Sequence, residues 1–339
     1  MAKRRFRGRA AMLRWFDLSE QALGDHRTAL NRLNVFPVPD SDTGDNMLAT
    51  AVASRRAAAV VDSDDFGELL AGAGAEAMVE ARGNSGTLLA VLLTGLAAPL
   101  RGCDRLTITT FAAALDSASV RAWSALSGPV SGTMLSIIDA VRDLAARRAA
   151  EVEEPESRAA LEDALPEVVA EARRAVEATE SQLDALRTAG VVDSGGTGLL
   201  LVFDALRAAV RGEDLTEDLL DGLHGVGASA RHRAADGGAR RSGAQEGPAD
   251  PDDADAACEL MATVRLDPLG AAGVRHRLDE LGDSVIVTPV DSEPEGDGTY
   301  RWRIHVHTEE PEAAREALAA AGRLEGCTVS PLHSGGAAR

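Results

Sequence analysis

Asp40 and Asp42, two carboxylates one residue apart, carry the chemistry of the run Asn34-Val35-Phe36-Pro37-Val38-Pro39-Asp40-Ser41-Asp42-Thr43-Gly44-Asp45-Asn46-Met47. Closely spaced hard oxygen ligands are what Mg²⁺ takes when it also holds phosphate oxygens. Pro37 and Pro39 restrict the unfolded chain, so less entropy is lost in holding the carboxylates together. An Asp-x-Asp alone is more often a solvated turn, but this one has company. Ala81-Arg82-Gly83-Asn84-Ser85-Gly86-Thr87 and Val191-Val192-Asp193-Ser194-Gly195-Gly196-Thr197-Gly198 each precede an apolar run that reads as a helix, 88–100 and 199–210. Glycines and hydroxyls at a helix start leave N–H groups at the positive end of the helix dipole, where phosphate binds. For either run alone, an ordinary N-cap is the rival reading.

These motifs need a scaffold, and the pattern around them supplies one. Ala/Leu-rich amphipathic stretches at 69–80, 111–124, 134–150 and 161–178 alternate with short breaks, and no strand pattern appears before residue 223. Residues 13–223 therefore read as an all-α domain of about eight helices, preceded by a basic tail over 1–12. Residues 224–256 hold Gly, Ala, Arg, Asp and Pro with almost no large apolar residue, which predicts a flexible linker. Beyond it, strands are expected at 258–266, 284–289, 301–308 and 327–331, with helices at 269–281 and 311–321. That β-α-β-β-α-β order predicts a small α+β split-βαβ sandwich over 257–332, followed by a short tail, 333–339.

Composition removes several function classes. The formal charge of −19 argues against nucleic acid, whose backbone needs a basic surface. Lys3 is the sole lysine. A Walker P-loop, a protein-kinase strand lysine and Schiff-base chemistry are thereby excluded. Cys103, Cys258 and Cys327 are odd in number and widely spaced, so no disulfide framework is expected and a reducing cytoplasm fits. No apolar run is expected to reach the ~18 residues of a membrane span.

The three glycine-rich segments, in this order, resemble the nucleotide-binding domain of the dihydroxyacetone kinase L type, above all the version in the catalytic subunit of bacterial fatty-acid kinase. Trp123-Ser124-Ala125-Leu126-Ser127-Gly128-Pro129-Val130-Ser131-Gly132-Thr133-Met134-Leu135 is similar to that family's Pro-Val-x-Gly-Thr stretch, and the resemblance spans 13–208. Leu281-Gly282-Asp283-Ser284-Val285 and His305-Val306-His307-Thr308 extend it to the family's middle domain. The resemblance implies an antiparallel helical barrel that binds ATP at one end. Asp40 and Asp42 would hold Mg²⁺ at the reacting phosphates, with Asn34 as a further ligand. Asn46, Gly83, Asn84, Ser85, Gly86, Gly132, Thr133, Met134, Asp193 and Gly195 would lie along the nucleotide. A carboxylate acceptor is already ionised near neutral pH, so no general base is required.

The same resemblance implies an acyl-binding carrier as partner and a homodimer through the second domain. The resemblance implies a third domain that engages that carrier, and none is expected within these 339 residues. Three departures stand out: Ser41 replaces a glycine between the aspartates, Gly128 a lysine and Ser131 a glutamate. They leave a non-catalytic ATP/ADP sensor, or a vestigial barrel in an interaction protein, as rivals to the kinase. His305 and His307 share one face of a predicted strand and, with Cys258, could form part of a Zn²⁺ site as in some relatives. The cysteine's register is shifted by about one residue, however, and a one-residue slip turns a side chain to the other face. Two half-exposed histidines and a packed cysteine are the reading favoured by that shift.

Overall fold

The computed structural model describes residues 8–291 except 228–256, and 293–332. Helix α1 (Arg9–Leu33) opens the chain, four residues earlier than expected. Arg9 is part of the fold, since its guanidinium donates to Val61 O at 2.8 Å. Residues 1–7 and 333–339 of the expected tails, and 228–256 of the expected linker, lie outside the described residues.

After α1 come α2 (Thr43–Val60), α3 (Phe66–Glu80), α4 (Gly83–Ala97) with a 3₁₀ turn at Ala98–Leu100, and α5 (Ile108–Ala125). Then follow α6 (Met134–Glu151), α7 (Arg158–Gln182), the short α8 (Asp184–Ala189) and α9 (Ser194–Arg211). Local chemistry sets several of these boundaries. Asp65 caps α3 by accepting from Glu68 N–H at 2.9 Å, and Thr107 and Thr110 form a reciprocal capping box on α5. Gly190 and Gly212 end α8 and α9 in the left-handed conformation.

Each long helix packs on the next, and α9 returns to α1 and α7, closing a ring of eight long helices. The apolar stripes meet inside it, where Leu23, Leu30, Leu69, Leu89 and Leu135 are buried. Each such leucine contributes about 1.5–3 kcal/mol relative to exposure. Helix α4 crosses the interior and is apolar nearly all round. Gly83–Leu100 is an 18-residue stretch long and apolar enough to cross a membrane, which corrects the expectation that no run reaches that length. The physical reason is placement: 78% of it is buried in the ring, so its hydrophobicity serves the core.

The second domain is built as its pattern predicts, with β1 (Cys258–Leu266), α10 (Pro268–Leu281), β2 (Gly282–Pro289), β3 (Tyr300–Thr308), α11 (Pro311–Ala321) and β4 (Arg323–Pro331). The strands run antiparallel in the order β2-β3-β1-β4. Leu260, Ala262, Val264, Ile304 and Val306 point to one face and pack with Ala271, Leu278 and Leu318 of the two helices. The opposite face meets the ring. Arg303 reaches across to Ala81 O at 3.0 Å, and Ser127 N–H donates to Val285 O at 3.0 Å. Ile286 and Val290 belong to the ring's own apolar core. The loop after α5 even adds a β-bridge, Leu126 to Ile286, at the edge of the sheet. The two domains therefore meet through shared apolar and backbone contacts.

Candidate active site

Asn34 leaves the end of α1 and donates through Nδ2 to both carboxylates of the pair, to Asp40 and, at 3.5 Å, to Asp42. The Phe36–Pro37 peptide between them in sequence is cis. Ser41 has φ 60, so the position where a glycine is replaced is left-handed, the region where a side chain is strained. Asp42 stands at the N-cap of α2 but does not cap it with its side chain. Asn31 of α1 does so instead, accepting from Gly44 N–H at 2.7 Å and Asp45 N–H at 3.2 Å. Asp42 is thereby left free to face inward. Burial and then the charge of Asp40 push its carboxyl up to about 7, against a lowering contact from Asn46. Two carboxylates held this closely are relieved by a divalent cation.

Three more helices start at the same place. Helix α4 begins at Gly83, with φ 58, and a Cβ there would sit 2.2 Å from Asn46 Nδ2. No side chain of the N-cap residue Arg82 caps this helix, and Asn84 Oδ1 is buried without a partner. Helix α6 starts uncapped by Thr133, whose hydroxyl donates to Val130 O at 2.8 Å. Helix α9 is capped by Asp193, which accepts from Gly196 N–H at 2.6 Å. Burial pushes the Asp193 carboxyl up to about 7.

A cavity of about 190 Å³ lies where these four helices begin. Asn34, Asp40, Asp42, Gly83, Asn84, Ser85, Thr133, Met134, Asp193 and Gly195, all named from the sequence, line it together. Asn46, Gly86 and Gly132 stand behind the lining. Asn46 fills the space beside Gly83, Gly86 lets α4 approach Thr50, and Gly132 N–H donates to Ser136 Oγ at 2.8 Å. Phe36, Val38, Leu88 and Leu126 give the cavity an apolar wall.

The sheet supplies the remaining side, through Ser284, Val285 and His307. Ser284 has φ 55 at a bulge between Asp283 and Ile286, a strained position of the kind that collects at functional sites. Both alternatives for Cys258, His305 and His307 are corrected here: the histidines are buried rather than half-exposed, and they cluster with Glu259 rather than Cys258. Cys258 pairs with Thr308 and shares the face of Leu260, toward the helices. Glu259, one residue on, pairs with His307 and takes the cysteine's place. The ligand atoms of Glu259, His305 and His307 lie within 4.8 Å of one another. His305 is 0% exposed; its Nε2 lies 3.2 Å from Glu259 Oε1, and its Nδ1 has no hydrogen-bond partner among the described residues. Burial and the neighbouring His305 push His307 down to about 4, so its ring is neutral and able to donate a lone pair. Burial opposes ionisation of Glu259, but His305 and the Gly83 N–H outweigh it and hold the carboxyl below its ordinary value. Two buried imidazoles converging on a carboxylate suit a Zn²⁺-type ion.

Glu259 is not among the residues named from the sequence, and Ser284 and Val285 stand there only as part of a motif, with no role at the site. The one signal for Glu259 was the one-residue register shift at Cys258, whose consequence is settled by the β1–β3 pairing.

The chain matches the DAK2 domain over residues 37–208 and the FakA-like middle domain of fatty acid kinase over 258–338. It is 31% identical to Protein YloV of Bacillus subtilis over 296 residues, covering 86% of this chain and 49% of that protein. It is 33% identical to the uncharacterized protein SSP1546 of Staphylococcus saprophyticus, covering 58% of this chain and 34% of that protein. The chain thus spans half or less of the length of these relatives. Among solved structures it is similar to the dihydroxyacetone kinase from C. freundii in complex with AMP-PNP and Mg²⁺, with a TM-score of 0.42 and 22% identity over 61% of this chain and 35% of that one.

Proposed function

The chain belongs to the DAK2 domain family, and from that premise we propose that it is an ATP- and Mg²⁺-dependent kinase. It transfers the γ-phosphoryl group to a carboxylate or hydroxyl of a substrate presented by a partner protein, with an acyl-binding carrier the family-based expectation. The observation that carries this reading is the convergence of four helix N-termini and the Asp40–Asp42 pair on one cavity. N–H groups and dipoles at helix starts attract phosphate, and the carboxylates attract the cation that phosphate brings.

Asp40 and Asp42, steadied by Asn34, would hold Mg²⁺. Bound Mg²⁺ neutralises the phosphate oxygens on which charge develops during transfer. The uncapped starts of α4 and α6 orient the phosphates through Asn84, Ser85 and Thr133. Phe36, Val38, Leu88 and Leu126 exclude water from one side. Asp193 holds the start of α9 and, with its proton, adds no charge beside the phosphates. Glu259, His305 and His307 fit a second, Zn²⁺-type ion, because their donor atoms converge within 4.8 Å of one another in a buried pocket.

A second reading, nucleotide sensing without transfer, is favoured by one contact: Glu259 accepts the Gly83 N–H, a donor that a phosphate would otherwise use. Thermal stabilisation by ATP with and without Mg²⁺, on the wild type and Asp42→Asn, tests the binding common to both. A Mg²⁺-dependent rise in Tm, lost in the variant through an affinity drop of about a hundredfold, is expected. No rise at millimolar nucleotide would refute both readings. ATP hydrolysis or phosphotransfer to an added acyl carrier then separates kinase from sensor.

A further inference from the structure

Glu259 links the head of α4, which lines the cavity, to the histidine pair. Its Oε1 accepts the Gly83 N–H at 2.7 Å and lies 3.2 Å from His305 Nε2. The frame around this contact is tight. Gly83 is held at φ 58 with Asn46 filling the space beside it, and Arg303 fixes the preceding turn by donating to Ala81 O at 3.0 Å. His307 lines the cavity next to these groups. A change of charge at Glu259 is therefore felt at the head of α4, where the backbone donors of the cavity begin.

We infer that a divalent transition-metal ion held by Glu259, His305 and His307 raises the affinity of the Asp40–Asp42 cavity for a Mg²⁺–nucleoside triphosphate, with the Glu259–Gly83 contact as the link. This rests on the nucleotide-binding reading above. Without the ion, Glu259 brings a negative charge to a cavity that already holds Asp40 and Asp42, and it occupies a helix-start N–H. Both effects oppose a polyphosphate. With the ion in place, the carboxylate is neutralised by its metal and accepts less strongly, which leaves the Gly83 N–H free to donate to phosphate. Both effects act in one direction. Linkage makes the coupling reciprocal, so nucleotide raises metal affinity by the same factor.

The test is AMP-PNP titration of the full chain in saturating Mg²⁺, with and without Co²⁺, whose visible absorption reports loading of a histidine site. The expected result is about tenfold tighter AMP-PNP binding with Co²⁺, within the usual range for coupled sites, and the same gain for Co²⁺ with AMP-PNP present. Glu259→Gln should bind AMP-PNP more tightly than wild type when Co²⁺ is absent, and lose the response to it. A merely structural Glu259 would give weaker binding in that variant, which overturns the inference. His307→Gln keeps the Gly83 contact and must also lose the response, so the test survives if one variant fails to fold. Failure of Co²⁺ to load, or loading that leaves AMP-PNP affinity unchanged, overturns the inference alone. Absence of AMP-PNP binding in every condition overturns the nucleotide reading and this inference together.

Discussion

The ring brings its functional groups to the cavity on four helix starts, whereas the sheet brings them on two paired strands and a bulge. In the ring, each contribution is a short contiguous run, and its neighbours in sequence are its neighbours in space. Asn34, Asp40 and Asp42 meet within one loop, and Gly83, Asn84 and Ser85 within one helical turn. In the sheet, Glu259 and His305 meet because β1 and β3 pair in one register. A slip of one residue would exchange Glu259 for Cys258 and leave every local feature unchanged. The ring site is thus specified by local chemistry and the sheet site by a long-range alignment. Substitutions that act on one and not the other can break or sharpen that distinction.

The largest effect is expected at Gly83, where the ring site depends on both backbone and space. Gly83→Ala places a Cβ 2.2 Å from Asn46 Nδ2 and forces a side chain into φ 58. The two costs together come to about 2–5 kcal/mol. Chemical denaturation of the variant should show that loss, accompanied by lost AMP-PNP binding. A fully stable Gly83→Ala would mean that the turn is looser than its packing indicates.

Asp193 tests whether a helix start in the ring carries a proton. Its folded-state value of about 7 stands above the ordinary 3.8. The protonated group therefore stabilises the fold fully below about pH 4, and that contribution is lost as pH rises through about 7. Asp193→Asn keeps an acceptor for the Gly196 N–H and has no proton to lose. In metal-free buffer, the variant's unfolding free energy should gain on the wild type from pH 5 to pH 8, by about 2–3 kcal/mol at the upper end. A difference independent of pH would show that Asp193 is ionised throughout.

In the sheet, the register itself is open to test through metal uptake. His305→Gln should weaken Co²⁺ binding about 10–100-fold. Cys258→Ser should leave the Co²⁺ spectrum unchanged, because Cys258 shares the face of Leu260. A loss of the spectrum in Cys258→Ser would mean that β1 pairs one residue out of the described register, and would restore the Cys/His/His cluster.

The same division explains how much was legible in the sequence. Helix and strand patterns were readable because amphipathic period and caps are local, and β1 and α11 end where their patterns end. Ten of the residues named from the ring's motifs come together around one cavity, because each sits on a contiguous motif. The closure of the ring came only through the family resemblance, and the docking of the loop after α5 onto β2 and the left-handed Ser284 were not readable. They depend on which surfaces meet after folding. Glu259 belongs with these: a glutamate at a strand start has no special signature until its partner strand is known. Gly83–Leu100 erred in the other direction, since a fully buried helix and a membrane span share one composition.

The smallest expected effect returns to Ser41, where the ring's local specification is imperfect. Its φ of 60 costs a side chain about 1–2 kcal/mol, and the residue is exposed, so no packing offsets that cost. Glycine removes the strain but adds about 0.5–1 kcal/mol of unfolded-state entropy. Ser41→Gly should therefore stabilise the protein by about 0.5–1 kcal/mol, a rise in Tm of about 1–4 °C at this size. The gain should be the same with and without Co²⁺, because the sheet site does not share this loop. If Mg²⁺–AMP-PNP binding tightens in the variant by more than its stability rises, the strain at Ser41 also misaligns Asp40 and Asp42, which favours the sensor over the kinase. Equal binding would show that the left-handed turn is fully formed with serine and that the aspartate pair is already set for its cation.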